Sequence, residues 1–160
     1  MLKYLWILGL VLSLNLYQAR AEGIAGEGMF AATCVHGPDS FNCVDFVKNH
    51  DGDTFTVEIR NVPPLIGHGI TVRVLGVDAP EMDSSDSCER SAALRAKSEV
   101  EGFLKSASRI DLKRLGRDKY FRILADVKVD GQSLSEFLLK NRLAVAYDGG
   151  TKRHVDWCRF

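Results

Sequence analysis

Five short segments of alternating apolar and polar residues, interrupted once by a helical segment, constrain the fold of this chain most strongly. Alternation of this kind is typical of half-buried β-strands. The alternating segments cover residues 41–47, 54–60, 70–77, 109–115 and 121–129. Between the third and the fourth, residues 86–107 carry apolar side chains at three- and four-residue spacing, which predicts an amphipathic helix. The fold class is therefore predicted to be α+β.

A second, shorter helix is predicted towards the end of the chain. Ser133-Leu134-Ser135-Glu136 has the pattern of a capping box and predicts a helix through about Arg142. Residues 61–69 contain two prolines and two glycines and predict a long loop. Five strands with a helix between the third and fourth is the order expected of an OB-type β-barrel, here with two packed helices.

The first 21 residues have the layout of a secretory signal peptide. Lys3 supplies a positive charge, residues 5–17 are mostly apolar, and Ala19-Arg20-Ala21 offers the small residues of a cleavage site. The apolar stretch is shorter than the roughly 20 residues that span a bilayer. We therefore expect cleavage before Glu22, a secreted or periplasmic protein and no stable membrane association afterwards. Retention of the segment as an anchor is the alternative.

The rest of the chain is predicted to be a leader followed by one domain. Residues 22–40 are Gly-rich and lack periodicity, which is typical of a flexible segment. Residues 41–160 carry all the predicted strands and helices. The hydrophobic fraction of 46% excludes intrinsic disorder. A total of 21 basic and 21 acidic residues excludes a globally basic nucleic-acid coat protein.

Four cysteines in a chain expected to be exported favour disulfides, for which three pairings exist. We expect Cys34 to pair with Cys43, because they are close in sequence, and Cys88 to pair with Cys158. The second bond would hold a short C-terminal tail that has few other anchoring residues. A zinc site is disfavoured, because no cysteine or histidine pair has metal-ligand spacing.

Two acidic motifs are predicted to meet at one end of the sheet. Asp51-Gly52-Asp53-Thr54 precedes the second strand, and Val77-Asp78-Ala79-Pro80-Glu81 ends the third. Each motif alone is more typical of a solvated turn. If these strands pair, Asp53 and Asp78 fall at the same end, where nearby carboxylates require a cation. Oxygen ligands of this kind suit Ca²⁺ or Mg²⁺.

Basic residues are predicted to lie near these acids. Arg73 lies between Val72 and Val74 and should face away from the side that they bury. Residues 105–122 contain seven basic and two acidic residues, with Tyr120 and Phe121 among them. Taken alone, such a run is more often a solvated face. Combined with an acidic metal site, it suits phosphodiester hydrolysis, in which a carboxylate activates water and arginines hold the developing negative charge.

These motifs, together with Asp118-Lys119-Tyr120-Phe121-Arg122, closely resemble those of the thermonuclease, or staphylococcal-nuclease-like, family. The resemblance extends from about residue 41 to residue 148. It implies an OB-fold and a Ca²⁺-dependent endonuclease that acts on DNA, RNA or both. The chain departs from the family at Phe121, which stands where the family has glycine.

The resemblance also implies a role for each site residue. The implied calcium ligands are Asp53, Asp78 and the carbonyl of Ala79, with Asp51 behind them. The implied catalytic residues are Arg73 and Arg122, which would clamp the scissile phosphate, and Glu81 as the base. The implied substrate contacts are Lys119, Tyr120 and Tyr147.

Two other functions fit parts of the sequence. A catalytically silent OB-fold module that binds nucleic acid would use the basic stretch and the aromatics, but it has no use for Glu81. An anchored envelope protein would require that residues 1–21 are not cleaved off. We expect the nuclease, acting as a monomer.

Overall fold

The computed structural model describes residues 34–160. It divides into two units at residues 35 and 36, and all the described helices and strands belong to the second unit. The predicted signal peptide and the leader up to residue 33 lie outside the described residues. No helix in the described range is long and apolar enough to cross a membrane.

Nine strands and three helices make up the described part of the chain. The strands are β1 (Ser40–Phe41), β2 (Asp45–Asn49), β3 (Thr54–Glu58), β4 (Ile70–Val74), β5 (Val77–Asp78), β6 (Ile110–Arg117), β7 (Ile123–Val129), β8 (Gln132–Ser133) and β9 (Val145–Ala146). The helices are α1 (Pro64–Gly67), α2 (Ser87–Lys105) and α3 (Leu134–Lys140). The predicted α+β class is confirmed.

The main sheet is mixed and runs in the order β1-β6-β7-β4-β3-β2, with β8 paired to β7. β4 and β7 are parallel, and β3 and β4 are antiparallel, as the predicted pairing of the second and third strands requires. The described pairings leave β1 and β2 as edges, so the sheet is not closed as the predicted five-stranded barrel would be. A turn at Gly76, where φ is +87°, splits the predicted third strand into β4 and β5. β5 then pairs with β9 in a separate two-stranded sheet.

The core lies where the alternation predicted it. Along β7, Ile123, Ala125, Val127 and Val129 are buried while the residues between them are partly exposed. The long helix α2 covers the sheet with Ala93, Ala96, Val100 and Leu104. Asp86 caps this helix by accepting a hydrogen bond from the Cys88 N–H at 2.9 Å.

Two helix predictions need correction. The predicted loop over residues 61–69 contains the short helix α1, which begins at Pro64, where the fixed φ of proline suits a helix start. The described residues therefore form three helices, where the sequence predicts two. Ser133 caps α3 as predicted, but the helix ends at Lys140 and does not reach Arg142, because Arg142 is left-handed with φ +54°.

The predicted bond between Cys88 and Cys158 is confirmed, with a Cα–Cα distance of 5.1 Å. It joins the first turn of α2 to the C-terminal tail. Cys34 and Cys43 are each disulfide-bonded too, so no described cysteine is free. Their pairing with each other stays a prediction.

Candidate active site

The turn between β2 and β3 directs the carboxylate of Asp53 inwards. The Asp53 N–H donates to the Asp51 carboxylate at 2.9 Å, which shapes the turn. A Cβ at Gly52 would lie 2.8 Å from the Cβ of Ala96 and 2.9 Å from that of Ala79, so only glycine lets the turn pack this closely against α2. Asp53 is only 4% exposed and accepts hydrogen bonds from the Ala79 N–H at 2.6 Å and the Thr54 hydroxyl at 3.0 Å.

A single guanidinium connects the two acidic motifs. Arg73, on β4 opposite Thr54 of β3, forms ion pairs with Asp53 and with Asp78, the latter at 3.0 Å. It also donates to the Val77 carbonyl at 3.1 Å. Its side chain is only 11% exposed, so it is not the solvated surface arginine that such a residue alone would suggest. The acids that were predicted to meet therefore do meet, on a buried cation.

A lysine from the C-terminal tail approaches the same acids. The Lys152 ammonium lies 2.9 Å from Asp78 Oδ1 and 2.5 Å from Glu81 Oε1. Partial burial opposes its charge, but the hydrogen bonds and charges of Glu81 and Asp78 outweigh that effect and raise the pKa of Lys152. The sequence reasoning did not single out Lys152. The one available signal was Cys158, which ties the tail to the domain.

Asp118 orders the segment that carries the second arginine. Its carboxylate accepts from the Arg122 Nε at 2.6 Å and from the backbone N–H groups of Tyr120 at 2.9 Å and Arg122 at 3.0 Å. Burial works to raise the pKa of Asp118, but these hydrogen bonds outweigh it and lower the pKa below the ordinary value. Arg122 also reaches the Thr54 hydroxyl at 3.4 Å, which puts it beside the turn that holds Asp53.

The predicted substrate contacts lie at the rim. Tyr120 is 67% exposed, and its ring centroid lies 5.0 Å from the Lys119 ammonium and 5.4 Å from the Arg122 guanidinium carbon. Tyr147 donates from its hydroxyl to the Gly150 carbonyl at 2.7 Å and from its N–H to the Gly76 carbonyl at 3.0 Å.

One cavity of about 820 Å³, here called the active-site cavity, brings all nine predicted site residues together. Its lining includes Asp53, Arg73, Asp78, Ala79, Glu81, Lys119, Tyr120, Arg122 and Tyr147. Lys152 and Asp51 line it as well, and burial raises the pKa of the Asp51 carboxyl despite the opposing effect of Thr54 and the nearby arginines. The role of each residue stays a prediction.

The acids of this cavity fit a hard divalent cation. Asp53 and Asp78 offer carboxylate oxygens, which Ca²⁺ and Mg²⁺ prefer. Both carboxylates already bind the Arg73 guanidinium, and Asp78 binds the Lys152 ammonium too. This part of the fold therefore attracts positively charged groups. A second candidate metal group in the described range, Asp86 with Cys88 and Cys158, does not fit, because its two sulfurs are joined in a disulfide.

Comparisons with known proteins agree with this geometry. The sequence model of a family described as "Staphylococcal nuclease homologue" matches residues 71–156, a range that holds every predicted site residue except Asp53. "Endonuclease YncB" of Bacillus subtilis (strain 168) is 41% identical over 115 residues, which are 68% of this chain and 51% of that protein. "SPbeta prophage-derived endonuclease YokF" of the same organism is 38% identical over 108 residues, 64% of this chain and 34% of that protein.

The chain thus spans about half the length of the first of these relatives and about a third of the second. The family match covers more than half of this chain and includes both arginines, Glu81 and the segment around Tyr120. On that match, this chain belongs to the staphylococcal nuclease family.

Proposed function

We propose that this protein is an exported endonuclease that hydrolyses phosphodiester bonds of DNA, RNA or both, with Ca²⁺ as its cofactor. One observation carries the proposal. A single cavity holds Asp53, Asp78 and Glu81 together with the guanidinium groups of Arg73 and Arg122. Two relatives that share about two thirds of this chain are named endonucleases, which supports the same activity.

Three groups would hold the cation: the carboxylates of Asp53 and Asp78 and the carbonyl of Ala79. A bound divalent cation supplies Lewis acidity, which polarises a phosphoryl oxygen. The turn at Gly52 and the hydrogen bond from the Ala79 N–H position the Asp53 carboxylate before any ligand arrives. The oxygen donors suit Mg²⁺ equally well. The choice of Ca²⁺ therefore rests on the family resemblance.

Glu81 would act as the general base. It lies at the exposed side of the cavity, where water has access, and Lys152 holds its carboxylate beside Asp78. A carboxylate in this position takes a proton from the water that attacks phosphorus. A protein that only binds a polyanion gains nothing from three carboxylates at the phosphate site, since they repel it.

The arginines would stabilise the charge that develops on phosphorus. Arg73 is fixed by Asp53, Asp78 and the Val77 carbonyl, and Arg122 by Asp118. Because these partners hold both planar groups in place, little reorganisation accompanies the reaction. Lys119, Tyr120 and Tyr147 would contact the flanking nucleotides.

A cleavage assay tests the proposal. Purified protein should cut single- and double-stranded oligonucleotides in Ca²⁺ and should not cut them in chelator. Wild-type protein that binds single-stranded DNA but never cuts it, at any Ca²⁺ concentration, would instead identify a catalytically silent OB-fold binding module.

Export is a separate part of the proposal. It is supported by the signal-peptide pattern of residues 1–21 and by disulfides at all described cysteines, which are typical of oxidising compartments. Intact mass of the protein recovered outside the cytoplasm should correspond to a chain that begins at Glu22. A full-length mass in the membrane fraction would favour an N-terminal anchor. We also expect sedimentation to find a monomer.

A further inference from the structure

Phe121 combines a strained backbone with an exposed aromatic ring. Its φ is +70°, in the left-handed region that favours glycine and that bulky residues rarely adopt. Its side chain is 77% exposed, so burial of the ring offsets little of that strain. Arg117 fixes the residue in this state, because it donates to the Phe121 carbonyl at 2.7 Å and its guanidinium carbon lies 4.8 Å from the ring centroid. A strained conformation that presents a ring to solvent points to a function.

The ring lines a second cavity, of about 520 Å³, here called the side cavity. Tyr120 and Arg122 line both this cavity and the active-site cavity, so the two adjoin the same segment. Several of the most exposed large apolar side chains in the described range gather here. They are Leu65, Ile66, Tyr120 and Phe121. An apolar patch of this kind marks a binding surface.

The charge of the side cavity restricts what it can bind. Arg117 and Arg122 are among its lining residues, and none of the described residues that line it is acidic. The occupant must therefore combine flat apolar groups with negative charge. Unpaired nucleobases joined by phosphates meet both conditions, since every base has a face that stacks on an aromatic ring.

We propose that Phe121, together with Tyr120, forms a stacking platform for unpaired nucleobases of single-stranded DNA or RNA beside the active-site cavity. The proposal deepens the proposed nuclease function and rests on it for the identity of the substrate. Arg122 lines both cavities, so a base bound on the platform lies next to the scissile phosphate that this arginine is proposed to clamp. Paired bases inside a duplex cannot reach the platform, so single strands are preferred.

Fluorescence anisotropy in chelator tests this inference on binding alone, because the oligonucleotide stays intact. The probes are a labelled single strand, a strand of the same length without bases, and a duplex. Phe121→Gly should bind the single strand about 5- to 100-fold more weakly, as expected for the loss of one stacking residue. Its binding to the other two probes should be unchanged. Phe121→Tyr should bind the single strand as the wild type does.

Two further measurements separate stacking from a structural role. Phe121→Gly should melt at the same temperature as the wild type or higher, because glycine adopts positive φ without strain. Leu94→Ala removes an exposed apolar side chain on α2, outside the side cavity, and should leave binding unchanged. A lower melting temperature with proportionate loss of binding to all three probes would overturn the platform.

Other results would also overturn it. These are single-strand binding that is the same in Phe121→Gly and wild type, no binding of single strands by the wild type, and a dimer that Phe121→Gly abolishes. The last result would make the patch an interface between copies. Cleavage is measured separately. If the wild type cuts but its binding does not depend on Phe121, the platform is wrong and the nuclease function stands. If Phe121→Gly weakens single-strand binding but the wild type never cuts, the platform stands and the nuclease function is wrong.

Discussion

The ammonium of Lys152 lies 2.5 Å from a carboxylate oxygen of Glu81, although 71 residues separate the two in sequence. The same ammonium contacts Asp78, so a cation from the tail lies among the acids of the active-site cavity. Because Asp78 is also a proposed calcium ligand, Lys152 and a divalent cation would compete for one carboxylate.

Lys152→Ala tests that competition. The variant should bind Ca²⁺ about 2- to 5-fold more tightly than the wild type, because the ammonium that competes through a partly exposed ion pair is gone. In the absence of Ca²⁺ its free energy of unfolding should fall by about 0.5–1 kcal/mol, the value of a partly exposed ion pair. Calorimetric titration and urea denaturation measure the two effects. Arg153→Ala, a change of the adjacent exposed cation, is the control. Weaker Ca²⁺ binding by Lys152→Ala would mean that the lysine helps to build the site.

Removal of the disulfide at the tail should reproduce part of this behaviour. Cys88→Ser with Cys158→Ser frees the tail and lets Lys152 leave Asp78, so Ca²⁺ binding should again become tighter. The free energy of unfolding should fall by up to about 4 kcal/mol, the chain-entropy value for a loop of 70 residues. Urea denaturation with and without Ca²⁺ checks both. A double variant with wild-type Ca²⁺ affinity would show that other contacts hold the tail.

Glu81→Gln should retain the fold and lose turnover. The amide keeps the shape of the side chain but cannot take a proton, so the rate should fall about 10²- to 10⁴-fold. Steady-state cleavage of a labelled oligonucleotide in saturating Ca²⁺ measures the loss. Glu99→Gln makes the same change at an exposed position of α2 and should cut at the wild-type rate. If both variants were equally active, Glu81 would not be the base.

The lowered pKa of Asp118 predicts an acid-dependent loss of stability. A carboxyl whose pKa is lower in the folded state contributes stability above its ordinary value of 3.8, and that contribution is lost as the pH falls through the folded value. Asp118→Asn should therefore be about 1 kcal/mol less stable than the wild type at neutral pH. The difference should shrink below about pH 4. Urea denaturation from pH 3 to pH 7 tests this, and parallel curves over the whole range would contradict it.

Local patterns predicted much of the fold because they report local burial. The alternation along residues 123–129 identified the buried face of β7, and the capping box at Ser133 identified the start of α3. The predicted meeting of Asp53 and Asp78 needed only one antiparallel pairing, between β3 and β4.

Contacts between segments that are distant in sequence were not predicted. The tail that carries Lys152 has no periodicity, and its position depends on the Cys88–Cys158 bond. The pairing of β5 with β9 likewise follows the left-handed turn at Gly76, which separates β5 from β4. Neither feature leaves a repeating pattern in the residues nearby, because each is decided by a partner far along the chain.

The Cys88–Cys158 bond also closes residues 88–158 into a covalent ring. Lys119, Arg122 and Lys152 lie inside this ring, whereas Asp53 and Asp78 lie outside it. A single protease cut within the ring releases no fragment, so the two pieces of a nicked protein stay covalently joined and separate only after reduction. Tolerance of a single cut is therefore built into the part of the chain that carries Lys119, Arg122 and Lys152, where the exposed segment around Tyr120 offers proteases a target.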